Sequence, residues 1–353
     1  MVMLPSARVS RTSMIQSGAT PLRLGLTLGD LAGIGPEVSV QALLQTDLHR
    51  RCLVRIYVVA EHQDWLRATC QRYGLLGGTP IPDAGLQIVP VECAVHSGPQ
   101  RPGLTSEASQ AHAFAALEAM ADAAVLGEID AMVTGPVPKS IFDHLTPRPP
   151  GQTEFLAHRL GAKRFAMMLA GPRLRVVPVT THIGLRDVAG ALTTQGIVDC
   201  GLAAVDALTR WMELSAPRLA ICALNPHAGE GGRLGDEEER IIVPAVEQLR
   251  ELGIHAEGPH VADTVFYRAM NGRFDAVLCM YHDQALGPLK TVHFHDAVNL
   301  TCGLPIPRLS PDHGTAYDIA GRGTADPTSM VQALARAERM ASRAALQLNR
   351  PVA

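Results

Sequence analysis

Six short apolar runs punctuate this chain: 22–28 (LRLGLTL), 54–60 (VRIYVVA), 131–135 (AMVTG), 175–180 (RVVPVT), 218–224 (RLAICAL) and 275–281 (DAVLCMY). Most are apolar nearly throughout instead of alternating with polar residues. That pattern suits strands of a parallel sheet covered on both faces. Amphipathic stretches separate them. Residues 106–126 are alanine-rich with helical apolar spacing, and residues 194–214 place Ile197, Gly201, Ala204, Val205, Leu208 and Met212 on one face. Residues 236–252 open with Asp-Glu-Glu-Glu, which suits the positive end of a helix, and Gly253 stands where a C-cap glycine would. Strands alternating with helices predict an α/β fold. The breaker cluster Thr146-Pro147-Arg148-Pro149-Pro150-Gly151 reads as a crossing between lobes.

Composition narrows the function. The 353 residues are enough for two lobes, at about 150 residues per domain. A charged fraction of 18% argues against disorder. A net charge of −3 argues against a general nucleic-acid or membrane-surface binder, and 4% aromatics leave little for base stacking. No apolar run reaches the length of a membrane span. Residues 1–21 contain arginines without an apolar core and read as a flexible tail, not a secretory signal. Seven scattered cysteines with no CxxC pair read as reduced core thiols, which points to the cytoplasm. Only Lys139, Lys163 and Lys290 are lysines among 31 basic residues, so a retained lysine hints at a specific need.

The first run ends in Gly29-Asp30-Leu31-Ala32-Gly33-Ile34-Gly35-Pro36-Glu37, followed by an apolar helix pattern. Glycines allow a tight strand-to-helix turn, Pro36 suits a first helical turn, and Glu37 faces the dipole. The spacing is not GxGxxG. Three histidines, His182, His227 and His282, each follow an apolar strand. Ligands of open parallel sheets bind outside the carboxyl ends of strands. Three imidazoles delivered there can converge on one divalent cation, although any one alone is more often a hydrogen-bonded structural residue. Asp187 and Asp283 lie near two of them as further ligands, orienters or proton carriers. The absence of HExxH and HxxEH gives a zincin-type protease no support. Glycines around His227 (NPHAGEGG) let backbone approach a ligand. Lys290, Asn299 and Arg308 can form an anion pocket. Lys139 also follows a strand end, whereas Lys163 reads as surface. Small residues around His313, in DHGTAYDIAGRG, suit a loop wrapped on a nucleotide.

These segments, with GQTEFLAHRLGAK, TTHIGLRD, VADTVF and MYHDQALGPLK in the same order, resemble the 4-hydroxythreonine-4-phosphate dehydrogenase family of vitamin B6 biosynthesis, over about residues 22–335. The opening turn and the DHGTAYDIAGRG loop are also similar to those of isocitrate and isopropylmalate dehydrogenases. The resemblance implies a two-lobed αβα fold with a cleft between the lobes. It implies a nucleotide-binding lobe over 22–148 with 304–353, and a metal, substrate and dimerisation lobe over 149–303. His182, His227 and His282 match the family's ligands for a divalent ion (zinc, magnesium or cobalt), in a site shared across a homodimer. Gln152, Thr153, Lys290, Asn299 and Arg308 match its substrate positions. Asp312, His313, Gly314, Thr315 and Ala316 fall in its loop for NAD or NADP. The implied reaction oxidises and decarboxylates 4-phosphooxy-L-threonine to 3-amino-2-oxopropyl phosphate, with Asp263 or Asp283 as proton carrier. Gln152 stands where the family usually has histidine, and Leu31 where it usually has proline. Alternatives are a paralogue acting on threonate or erythronate 4-phosphate or on another hydroxy acid, such as an unphosphorylated cis-dihydrodiol carboxylate. From another class, the alternative is a metal-dependent phosphatase or phosphate acyltransferase.

Overall fold

A computed structural model describes residues 21–75, 85–96, 98 and 100–348. The tail expected over 1–21 therefore lies, apart from Pro21, outside the described residues. The chain opens with β1 (Arg23–Thr27), α1 (Gly35–Thr46), β2 (Leu53–Val59), α2 (Gln63–Arg72), β3 (Leu86–Val91), α3 (Glu107–Val125) and β4 (Ala131–Thr134). It continues through α4 (Gln152–Arg159), β5 (Ala166–Ala170), β6 (Arg175–Pro178), α5 (Val188–Ala191), α6 (Thr194–Met212), β7 (Arg218–Cys222), α7 (Val243–Glu251) and β8 (His255–His260). It ends with α8 (Ala262–Met270), β9 (Ala276–Cys279), α9 (His282–Val292), β10 (Val298–Cys302), β11 (Arg308–Pro311) and α10 (Thr328–Leu348).

All six predicted strands form, and the fold is α/β. The strands make one sheet in the order β3-β2-β1-β4-β11-β10-β5-β6-β9-β7-β8. Consecutive residues of β4 and β9, which face opposite sides, are all buried, so both sheet faces are covered. The sheet is not wholly parallel, which corrects the sequence expectation. β10 runs antiparallel to β11 and β5, and β5 runs antiparallel to β6. The cause is connection length. Residues 303–307 join β10 to β11 and residues 171–174 join β5 to β6. A parallel crossover needs a dozen or so residues, and neither link can make one.

The helix predicted over 236–252 also differs. Residues Glu238–Ile242 form a wide π turn, and the α-helix proper starts at Val243 with Pro244 in its first turn. Proline has no N–H to give and its ring crowds the carbonyl four residues back. Gly253 closes this helix at φ 82°, as a C-cap glycine should. The long α10 buries Met330, Ala333, Leu334, Ala337, Met340 and Ala341, one face at helical spacing, against α1, β11 and α6. Among the described residues no single helix is long and apolar enough to cross a membrane.

Candidate active site

The turn after β1 is shaped by close backbone approach. A Cβ on Gly35 would sit 1.9 Å from the Leu28 carbonyl oxygen, and one on Gly33 would sit 2.7 Å from that of Thr315. Asp30, fully buried, holds this turn to its surroundings. Its carboxylate accepts from the Ala32 N–H (3.0 Å), the Thr105 hydroxyl (2.7 Å) and the Tyr317 hydroxyl (2.8 Å). The Ile34 N–H donates to the Thr315 carbonyl at 2.9 Å. Glu37 accepts from the Tyr73 hydroxyl (3.1 Å) and the Gly323 N–H (3.2 Å). The two segments singled out in the sequence, 29–37 and 312–323, thus form one docked unit. Within it Ala316 has φ 43°, and His313 Nδ1 lies 3.0 Å from the Gly314 carbonyl oxygen. Burial pushes the Tyr317 phenol above its ordinary pKa, and Asp30 adds to the rise while contacts to Thr105 and Thr315 oppose it.

A buried cation lies at the sheet centre. Arg308, 2% exposed, donates to the hydroxyls of Thr301 (3.1 Å) and Thr134 (2.6 Å) and to Gln152 Oε1 (3.2 Å). Burial pulls its pKa down to about 10, with Glu154 opposing. The charge therefore persists at neutral pH. Gln152 in turn donates to the Gly135 carbonyl at 3.3 Å, which fixes its amide. Asn299 pairs with Ser310, and Thr301 with Arg308, across the β10–β11 ladder. Directly opposed residues of an antiparallel pair share a face, so these four side chains line one side of the sheet. Asn299 Oδ1 and Arg308 Nε are buried without a hydrogen-bond partner. Lys290 Nζ meets Asp312 Oδ2 at 3.2 Å, just beyond the end of β11. Thr153, half-buried, occupies the first turn of α4.

The histidines sit at the ends of β6, β9 and β7, which are neighbours in the sheet. His182 and His282 come together, with ring centroids 5.7 Å apart. Burial first, then the Lys139 cation and His282, hold the His182 pKa below its ordinary value, against Glu154. His282 Nδ1 lies 2.6 Å from Asp283 Oδ1. Glu154 thus acts on both His182 and Arg308, which places the two clusters side by side. Asp187 is exposed in the turn that follows His182.

His227 takes a different position. It lies in a left-handed turn, with positive φ at every residue from His227 to Gly232. Its Nδ1 meets Glu230 Oε1 at 2.6 Å, and this contact, with Asp263 contributing, raises its pKa. Among the described residues one group of three His, Cys, Asp or Glu donors lies within common reach of an ion, and it is Glu61, His62 and His112. The expected set His182, His227 and His282 does not converge within one chain.

Glu238 went unnoticed in the sequence as a site residue. It is 3% exposed, and its carboxylate accepts from Leu224 N–H (2.8 Å), Asn225 N–H (2.8 Å) and Asn225 Nδ2 (2.9 Å). It anchors the entry to the His227 turn. Its only sequence signal was membership of the Asp-Glu-Glu-Glu run, read as helix-terminal charge. Glu154 carried no signal at all beyond its place in GQTEFLAHRLGAK.

Comparison with known proteins adds a family. Residues 43–337 match the model of the pyridoxal phosphate biosynthetic protein PdxA. The 4-hydroxythreonine-4-phosphate dehydrogenase of Desulfosudis oleivorans is 43% identical over 329 residues, covering 88% of this chain and 94% of that protein. That of Erythrobacter litoralis is 43% identical over 333 residues, covering 91% and 97%. The crystal structure of the Klebsiella pneumoniae 4-hydroxythreonine-4-phosphate dehydrogenase superposes with a TM-score of 0.78 at 35% identity, covering 92% of this chain and 99% of that one.

Proposed function

The chain belongs to the PdxA family of pyridoxal phosphate biosynthetic proteins, and from that premise we propose that it oxidises and decarboxylates 4-phosphooxy-L-threonine to 3-amino-2-oxopropyl phosphate with NAD or NADP. One observation carries the reading beyond membership. Arg308 is a charged, buried guanidinium on the same sheet face as Asn299, beside the strand-end histidines. A preformed cation with an unpaired Nε–H suits a phosphate or carboxylate.

In this reading Arg308, Asn299 and Lys290 bind the phosphate, and Lys290 exchanges its contact with Asp312 for the substrate. Gln152 and Thr153 orient the acid from the first turn of α4. Asp263 or Asp283, which lie beside His227 and His282, takes the hydroxyl proton. The unit formed by 29–37 and 312–323 holds the nicotinamide cofactor, which supplies the hydride acceptor. A divalent ion would fit beside the paired rings of His182 and His282, and we assign the third ligand to the partner's His227, because the three histidines of one chain do not lie within common reach of an ion. The bound ion supplies Lewis acidity that favours loss of the hydroxyl proton and then of carbon dioxide. The proposed lobes, 22–148 with 304–353 and 149–303, are supported by sheet order: β3-β2-β1-β4-β11 stand on one side and β10-β5-β6-β9-β7-β8 on the other. Cytoplasmic placement is supported by free cysteines in the core, where burial pushes Cys70 up to about 11.

A second reading, oxidation of threonate or erythronate 4-phosphate, is favoured by Gln152, which presents a neutral amide to Arg308. The test offers each acid to the purified chain with a divalent cation and NAD or NADP while reduced cofactor is followed by absorbance. Reduction with 4-phosphooxy-L-threonine is expected. Reduction only with the four-carbon sugar acids moves the substrate, and none with any acid defeats the dehydrogenase reading in favour of a phosphatase or acyltransferase. Mixing inactive His182→Ala and His227→Ala proteins tests the shared site, since a heterodimer rebuilds one complete histidine set. No recovery of activity on mixing defeats that assignment.

A further inference from the structure

A second cluster of metal-ligating groups lies far along the sheet from the strand-end histidines. Glu61 and His62 directly follow β2, and His112 projects from α3, which packs on that strand. His62 Nε2 lies 2.9 Å from His112 Nδ1 and 3.1 Å from Glu61 Oε1, and His112 Nδ1 lies 3.7 Å from the same carboxylate oxygen. Both imidazoles are almost completely buried, at 3% and 2% exposure. Four ligand atoms around a tetrahedral zinc ion stand about 3.3 Å apart, from bonds of ~2.0–2.1 Å. The observed separations bracket that value.

The protonation pattern also fits. His112 Nε2 lies 2.6 Å from the Val95 carbonyl oxygen, so that nitrogen carries the proton. Its Nδ1 therefore turns a lone pair toward His62. A histidine ligand is held in this way when its other nitrogen donates to a carbonyl. His62 Nε2 has three near neighbours, His112 Nδ1, Glu61 Oε1 and the Gln100 amide at 2.8 Å. A cation at the centre of His62 Nε2, His112 Nδ1 and Glu61 Oε1 would meet all three at once. Glu61 reaches solvent, and its second oxygen meets the exposed His96 at 3.0 Å, so an ion has a way in.

We propose that Glu61, His62 and His112 form a separate site for a borderline divalent cation of the zinc class, which clips the end of β2 to α3. Two imidazoles among the donors select such ions over magnesium or calcium. The site is independent of the proposed reaction, and the test keeps it so. A His182→Ala/His282→Ala background removes the strand-end pair. Metal-free protein is titrated with cobalt(II), followed by its visible absorption, and zinc uptake is measured by elemental analysis after desalting. The expected result is one ion per chain in this background, with a tetrahedral cobalt spectrum. Adding Glu61→Gln or His112→Gln weakens binding at least about tenfold, the cost even of disturbing a supporting group around a metal. Glu61→Gln, at the surface, covers the case in which His112→Gln fails to fold. No retained ion in the double-alanine background, or undiminished affinity in folded Glu61→Gln, overturns the proposal. Loss of turnover in that background alone speaks only to the strand-end site.

Discussion

Replacing Glu238 should release the His227 turn, and the size of the effect follows from its three bonds. One oxygen accepts two backbone N–H groups at 2.8 Å and the other accepts the Asn225 side chain at 2.9 Å. Left-handed backbone costs a non-glycine residue roughly 1–2 kcal/mol, and His227, Ala228 and Glu230 all adopt it. The clasp is what opposes that cost. Glu238→Ala removes every acceptor and strands two half-buried backbone donors, at about 1–2 kcal/mol each after allowance for water reaching them. Together with the lost Asn225 contact, we expect about 3–5 kcal/mol of destabilisation. Glu238→Gln keeps one carbonyl oxygen for both N–H groups and loses only the Asn225 side-chain bond, so about 1 kcal/mol is expected. Urea unfolding of both variants measures the difference, and kcat/KM on the phosphorylated acid reports whether the turn still presents His227. Equal losses in the two variants, or less than about 1 kcal/mol in Glu238→Ala, would refute the idea that this carboxylate holds the turn.

Three further outcomes are expected. Arg308→Lys keeps a charge but not the planar fork, and should raise KM for the phosphorylated acid about 10- to 100-fold with a smaller change in kcat, since a charged hydrogen bond contributes ~1.5–3 kcal/mol; an unchanged KM argues against the anion pocket. Gly33→Ala drives a methyl to 2.7 Å from the Thr315 carbonyl oxygen; steady-state kinetics should show a raised KM for NAD or NADP, and thermal unfolding a loss of about 1–3 kcal/mol. His260 has its pKa held below the ordinary histidine value by burial first and then by Arg268, so the unfolded chain binds more protons there than the folded one. Its contribution is present above about pH 6.5 and is lost as pH falls. Urea midpoints between about pH 7.5 and 5.5 should decline less steeply in His260→Gln than in the unaltered chain, and identical slopes would remove His260 from the account.

The parts of the fold that hydropathy reveals and the parts that carry chemistry are largely different parts. The six apolar runs all became strands, because uniform burial on both faces leaves uniform apolar sequence. β10 and β11 escaped notice, and they hold Asn299, Thr301, Arg308 and Ser310. These polar side chains form the candidate anion pocket, and they are also what breaks the apolar signature at the centre of the sheet. The antiparallel direction of β10 was hidden for a related reason, since it follows from a short link between two strands that the pattern did not show. Glu238 was misread because its partners lie 13 and 14 residues upstream, outside the span within which helix-terminus rules apply. The histidines show the limit most clearly. Chain pattern places His182, His227 and His282 after three strands, and the sheet sets those strands side by side. Convergence then depends on loop conformation. The left-handed turn clasped by Glu238 sets His227 against Glu230, and the three histidines of one chain do not lie within common reach of an ion. The proposed three-histidine ion site draws its third ligand from a second chain, and such an arrangement leaves the observed hydrogen bonds of the His227 turn intact.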